Sequence, residues 1–159
     1  MQPTASNGCA ALASAETTSG RPDMQVLDFD KDSDEFAQFS VCMPKSWNAG
    51  TVTFQAFWTT ASTNTGTVAW GMSGTSVVDD ATINVTFSSP TVATADAGLG
   101  TAENLHVGAV SGAITIKNAA ASALTFFQIL RDVSADSHTS DARLVGVKII
   151  FTTNASTDA

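Results

Sequence analysis

The chain has 159 residues, 43% of them hydrophobic and 14% charged, with 15 acidic side chains against 7 basic ones and a pI of about 4.3. That is enough apolar material for one domain with its own core. The formal charge of −8 disfavours nucleic acid and anionic lipid, because both need Lys/Arg clusters.

Residues 1–22 are rich in Ala, Ser and Thr and show no periodicity. They read as an arm, either flexible or draped over a neighbour. A short strand is expected from Met24 to Phe29. Asp28 to Glu35 (DFDKDSDE) follows as an acidic turn. Phe36 to Met43 is a strand with Ala37, Phe39, Val41 and Met43 inward. The segment Met43 to Gly74 organises the chain. Val52, Phe54, Ala56 and Trp58 alternate with polar residues, a polar loop covers 61–66, and Val68, Trp70 and Met72 alternate again. Period-two patterning with β-branched and aromatic residues predicts half-buried antiparallel strands, here joined as a hairpin.

Beyond Gly74, residues 77–87 present β-branched residues beside an Asp79-Asp80 pair. Strand propensity and an Asp-capped helical turn compete there, and the turn of helix is preferred. Thr91 to Ala95 is a strand and 96–104 a loop. Leu105 to Val110 is a short strand. Gly112 to Lys117 is another, with Ile114 and Ile116 on one face. Leu124 to Asp132 is a strong strand, 133–141 a polar loop and Ala142 to Thr152 the last strand. Residues 154–159 form a polar tail.

About eight strands separated by turns, without an internal repeat, predict an all-β fold. A two-sheet antiparallel β-sandwich, jelly-roll-like over 23–153, suits the mixed loop lengths. Two strands are apolar on both faces. Leu124, Phe126 and Leu130 oppose Phe127 and Ile129, and Val145, Val147, Ile149 and Phe151 oppose Leu144 and Ile150. Strands of that kind are usually covered twice. Phe127, Ile129, Leu144 and Ile150 are therefore expected at an interface of a symmetric homo-oligomer. The competing cover is the chain's own residues 1–22.

Few residues invite chemistry. Asp28, Asp30, Asp32 and Asp34 place oxygen ligands at alternating positions, as a calcium site needs. The EF-hand pattern fails, because Ser33 and Phe39 stand where Gly and Glu are required. A solvated acidic turn that protects a sheet edge is the competing reading. The loop holding Asp132, Asp136, His138 and Asp141 lacks a Gly-x-Ser-x-Gly elbow, and His138 has no apolar neighbours in sequence. His106 reads as a strand residue at a sheet surface. Trp58 and Trp70 fall on inward faces, whereas Trp47, in a turn, is the candidate for stacking on a sugar ring. Cys9 and Cys42 match no zinc spacing and read as free thiols or as one disulfide. No catalytic residue and no cofactor is expected, and no run reaches a membrane span. No signal peptide is read at the N-terminus.

One resemblance joins these features. The motifs are Met-Pro-x-x-Trp-Asn-x-Gly-Thr-Val-Thr (43–53), Thr-Gly-Thr-Val-x-Trp-Gly (65–71), Leu-His-Val (105–107), Ala-Ile-Thr-Ile (113–116), Phe-x-Ile-x-Arg-Asp (127–132) and Asp-Ala-Arg-Leu-x-Gly-Val-x-Ile (141–149). Together the chain resembles a family of small β-sandwich proteins encoded among the virion genes of tailed bacteriophages, over roughly residues 36–152. The resemblance implies a non-enzymatic virion component, made in the bacterial cytoplasm and carried on the exterior of the particle. It would decorate or cement the head, or form part of a head or tail fibre, often as a trimer. Its partners would be copies of itself and the major capsid protein or another virion protein. The arm would serve as attachment. A carbohydrate-binding or host-adhesion module using surface glycans is the alternative.

Overall fold

The computed structural model describes residues 1–154, so residues 155–159 of the tail lie outside the described part. Twelve strands are present among the described residues: β1 (Gln2–Pro3), β2 (Ala13–Glu16), β3 (Asp23–Phe29), β4 (Glu35–Cys42), β5 (Trp47–Thr59), β6 (Thr67–Val68), β7 (Trp70–Val77), β8 (Thr91–Val92), β9 (Asp96–Ala97), β10 (His106–Val107), β11 (Leu124–Arg131) and β12 (Ala142–Thr153). One sheet runs β1-β4-β11-β7-β8, the other β10-β5-β12-β3-β2, and β6 pairs with β9 in a small ribbon. All strand pairs are antiparallel.

In chain order, β3, β4, β5 and β7 alternate between the two sheets. β8 stays beside β7 and β10 joins β5. β11 then enters between β4 and β7, and β12 between β5 and β3. These eight strands make a jelly roll, the architecture expected from the spacing of strands and turns. The four remaining short strands are additions, two of them from the N-terminal arm.

The inward faces follow the alternation in the sequence. Val52, Phe54, Ala56 and Trp58 of β5 meet Phe127 and Ile129 of β11 and Trp70 and Met72 of β7 in one core cluster. Phe29 meets Trp70 edge-on at 5.0 Å, and Phe39 stacks on Phe127 at 5.3 Å. Burying each such ring is worth about 2–3 kcal/mol. Ser76 and Thr125 face each other inside this core and satisfy one another's hydroxyls at 2.7 Å.

Four expectations are corrected. The segment 43–74 is not a hairpin: β5 pairs with β10 and β12, and β7 with β11 and β8, so the polar loop carries the chain from one sheet to the other. Residues 77–87 hold no helix. β7 ends at Val77, and Asp80 takes a left-handed φ of 61° in the turn that follows. The strand expected at Thr91–Ala95 shortens to β8. The strand expected at 112–117 is instead a crossing, in which Ile114 bridges Val52 of one sheet and Lys117 bridges Thr75 of the other. Ile114 and Ile116 are buried on that crossing, on one side as expected.

The arm lies along the edges of both sheets. Pro3 pairs with Ala37 of β4, and Ala13 to Glu16 pair with β3. Between them Cys9 is buried, and the Cys9 N–H donates to the Phe36 carbonyl at 3.2 Å. The arm thus closes sheet edges that would otherwise offer unpaired backbone groups.

Candidate functional site

Polar side chains concentrate at one open end of the sandwich. Arg131 is the last residue of β11 and shares its inward face with Ile129. It is fully buried, at 0% exposure. Its Nε donates to Asp136 at 2.7 Å, Nη1 to the carbonyls of Phe29 (3.2 Å) and Ser140 (3.0 Å), and Nη2 to the carbonyl of His138 (2.8 Å). Asp136 also accepts the His138 N–H at 2.9 Å. One guanidinium therefore ties the β11–β12 loop to itself and to β3 in the opposite sheet.

The same end holds both histidines. His106 stacks on Trp58 at 4.0 Å, and His138 meets the Trp58 ring edge-on at 5.9 Å. Trp58 Nε1 donates to Asp96 at 2.9 Å, and His106 Nδ1 lies 3.9 Å from the same carboxylate. Burial holds His106 below its ordinary pKa, and Asp96 opposes that shift. Both histidines differ from their sequence reading. Neither sits at a surface, because β5 brings Trp58 beneath them. The buried Nε2 atoms of both rings have no hydrogen-bond partner. The cluster packs both histidines against Trp58 between the loops.

The acidic turn is tied into the same end. Asp28 pairs with Arg143 at 3.2 Å. Asp30 accepts the Asp32 N–H at 2.6 Å, Asp34 accepts the Val133 N–H at 3.0 Å, and Asp32 pairs with Lys31. These carboxylates each serve a different partner rather than converging. Among the described residues no three His, Cys, Asp or Glu side chains form a metal-ligand group.

The residues expected at an interface divide. Phe127, Ile129 and Leu144 are core residues of the protomer, and Ile150 is exposed. The second apolar face of β11 is the outward one. Leu124 and Phe126 lie there, with Leu124 opposite Cys42 on one side and Val77 on the other. Leu124 is 41% exposed, and beyond the end of β7 Val78 is 51% and Ile83 69% exposed. Phe126 lines two neighbouring depressions. One is bounded by Met1, Gln2, Gln38 and Ser40, and the other by Cys42, Val78, Ile83 and Leu124. This face of β4, β11 and β7 is the candidate functional surface. In the sequence it was visible as the second apolar row of 124–130, but burial assigns the rows the other way round.

Trp47, the candidate sugar-stacking residue, is buried in the core. It opens β5 and is held opposite Thr153, so the turn expected here is instead the first part of the strand. Trp58 and Trp70 are buried as expected. Cys9 and Cys42 are both free, the first buried and the second exposed. No described helix is long and apolar enough to cross a membrane. Comparison with protein-family models, with curated proteins and with solved structures found no match to this chain.

Proposed function

We propose that the chain is a non-enzymatic structural protein of a tailed-bacteriophage virion, decorating or cementing the capsid exterior as a homo-oligomer. The observation that carries this reading is the jelly roll's outward apolar face at Leu124 and Phe126. Jelly rolls recur in viral capsid proteins, as they do in lectins and cupins. The fold alone therefore does not choose among them. The virion reading leans on the sequence resemblance over 36–152, which implies a component that is often a trimer. The arm remains the proposed attachment. Its segment from Ala10 to Pro22 is largely exposed, and Leu12 projects at 54% exposure beside the β2 edge. The host-adhesion alternative, through loops 60–66, 96–104 or 133–141, loses Trp47 as a contact, because that ring is inside the core.

Co-sedimentation with capsids that lack the protein tests the proposal. Saturable binding is expected, and Leu12→Glu should weaken it while leaving the melting transition in place. Failure of the wild-type chain to bind such capsids would reject the virion role. Full binding by Leu12→Glu would reject the arm as the anchor.

A further inference from the structure

We propose that the outward face centred on Phe126 is where a second copy of this chain docks, with Lys45 of one copy set against Asp79 and Asp80 of the next. This deepens the homo-oligomeric part of the function proposed above and rests on it only for the biological setting. Three features of the protomer point to a like partner.

The first is the shape and chemistry of the face. The two depressions share Phe126, so Met1, Phe126, Leu124, Val78 and Ile83 form one continuous surface. Met1 and Leu124 are 41% exposed, Val78 51% and Ile83 69%, with Phe126 partly exposed between them. Gln38, Ser40, Cys42 and Ala81 supply neutral surroundings. An isolated exposed Leu needs no explanation, but a grouped surface of this kind does.

The second is the distribution of charge. Each copy carries −8, so self-association has to proceed through a surface that holds little of that charge. Among the side chains lining both depressions only Asp79 and Asp80 are charged, and Met1 adds its α-ammonium group.

The third is the position of those two acids. Leu124 is paired to Cys42 of β4 and to Val77 of β7. The ends of β4 and β7 therefore flank the start of β11 at the same edge of the sheet. Asp79 and Asp80 follow Val77 on one flank and line the second depression, while Lys45 follows Cys42 on the other, in the turn that leads to β5, and lines neither depression. All three side chains are exposed, and none has a salt bridge among the described residues. Opposite charges on opposite flanks of one apolar face are self-complementary between copies. Both a two-fold axis along β11 and a ring with the Phe126 faces turned inward place Lys45 of one subunit at Asp79 and Asp80 of another.

The test is the molar mass of the full-length chain by light scattering and by sedimentation over a range of concentrations. The wild type should give two or three times 16.4 kDa. Ile83→Glu and Leu124→Glu alter exposed positions. Each should shift the mass to that of a single chain with an unchanged circular dichroism spectrum and a cooperative melt. Lys45→Glu should weaken association about tenfold or more, and adding Asp79→Lys and Asp80→Lys should restore it. A monomeric wild type overturns the proposal. So does an oligomer whose mass ignores Ile83→Glu and Leu124→Glu, or a charge swap that restores nothing. Capsid binding is scored separately, so an oligomer formed through this face that ignores capsids would reject the virion role and leave the interface standing.

Discussion

Replacing Arg131 tests how the open end of the sandwich is held. The guanidinium makes four hydrogen bonds, three of them to backbone carbonyls and one to Asp136, at 0% exposure. Arg131→Ala removes all four donors and leaves the Asp136 carboxylate, 3% exposed, without its cation. Breaking a buried pair from one side typically costs about 3–5 kcal/mol, because the remaining charge is uncompensated. In a domain of this size each kcal/mol lowers Tm by about 2–4 °C, so a fall of roughly 6–20 °C is expected. Arg131→Lys keeps the charge but replaces the planar fork with a single ammonium. That group cannot reach the Phe29, His138 and Ser140 carbonyls and Asp136 together. Lysine should therefore recover only part of the loss. Urea and thermal unfolding followed by circular dichroism measure both variants. A loss below about 1 kcal/mol for Arg131→Ala, or full recovery with lysine, would refute the claim that this network clamps the two sheets.

Two further outcomes are expected. Burial lowers the pKa of His106 from its ordinary value, with Asp96 and His138 as the titratable groups facing it. In the unfolded chain it takes up a proton near its ordinary value of about 6.5. Its contribution to stability is therefore complete above that pH and lost below it, by at most about 1.4 kcal/mol per pH unit. His106→Asn should flatten the dependence of Tm on pH between about 7.5 and about 5, and an unchanged slope would contradict the assignment. The Cys9 thiol is pushed up to about 11 by burial, with Glu35 adding to the shift. A maleimide should accordingly label Cys42 alone in the native protein and Cys9 only after unfolding. Equal native reactivity of both thiols would count against the docked arm.

Much of the fold was legible because period-two alternation depends only on neighbouring residues. Phe54, Trp58, Trp70 and Met72 are inward where the alternation puts them, and β3, β4, β11 and β12 begin and end within a residue of their expected bounds. The doubly apolar pattern of 124–130 was equally plain, and it reads as two covered faces with Phe127 and Ile129 at an interface, whereas the structure puts them in the core.

Tertiary structure decided the rest. Alternation says that Phe126 and Phe127 point in opposite directions, but only the neighbouring sheet determines which is inside. Residues 43–74 read as a hairpin because the two strands are close in sequence. Each found its partners far away, β5 beside β12 and β7 beside β11, since the jelly roll pairs strands non-locally. Trp47 and His138 looked exposed because their sequence neighbours are polar, yet packing brought apolar surface to them from distant strands. The sequence determined the strands and their two faces. Which face met the core, and therefore which was left outward for a partner, was settled only when the two sheets closed on each other.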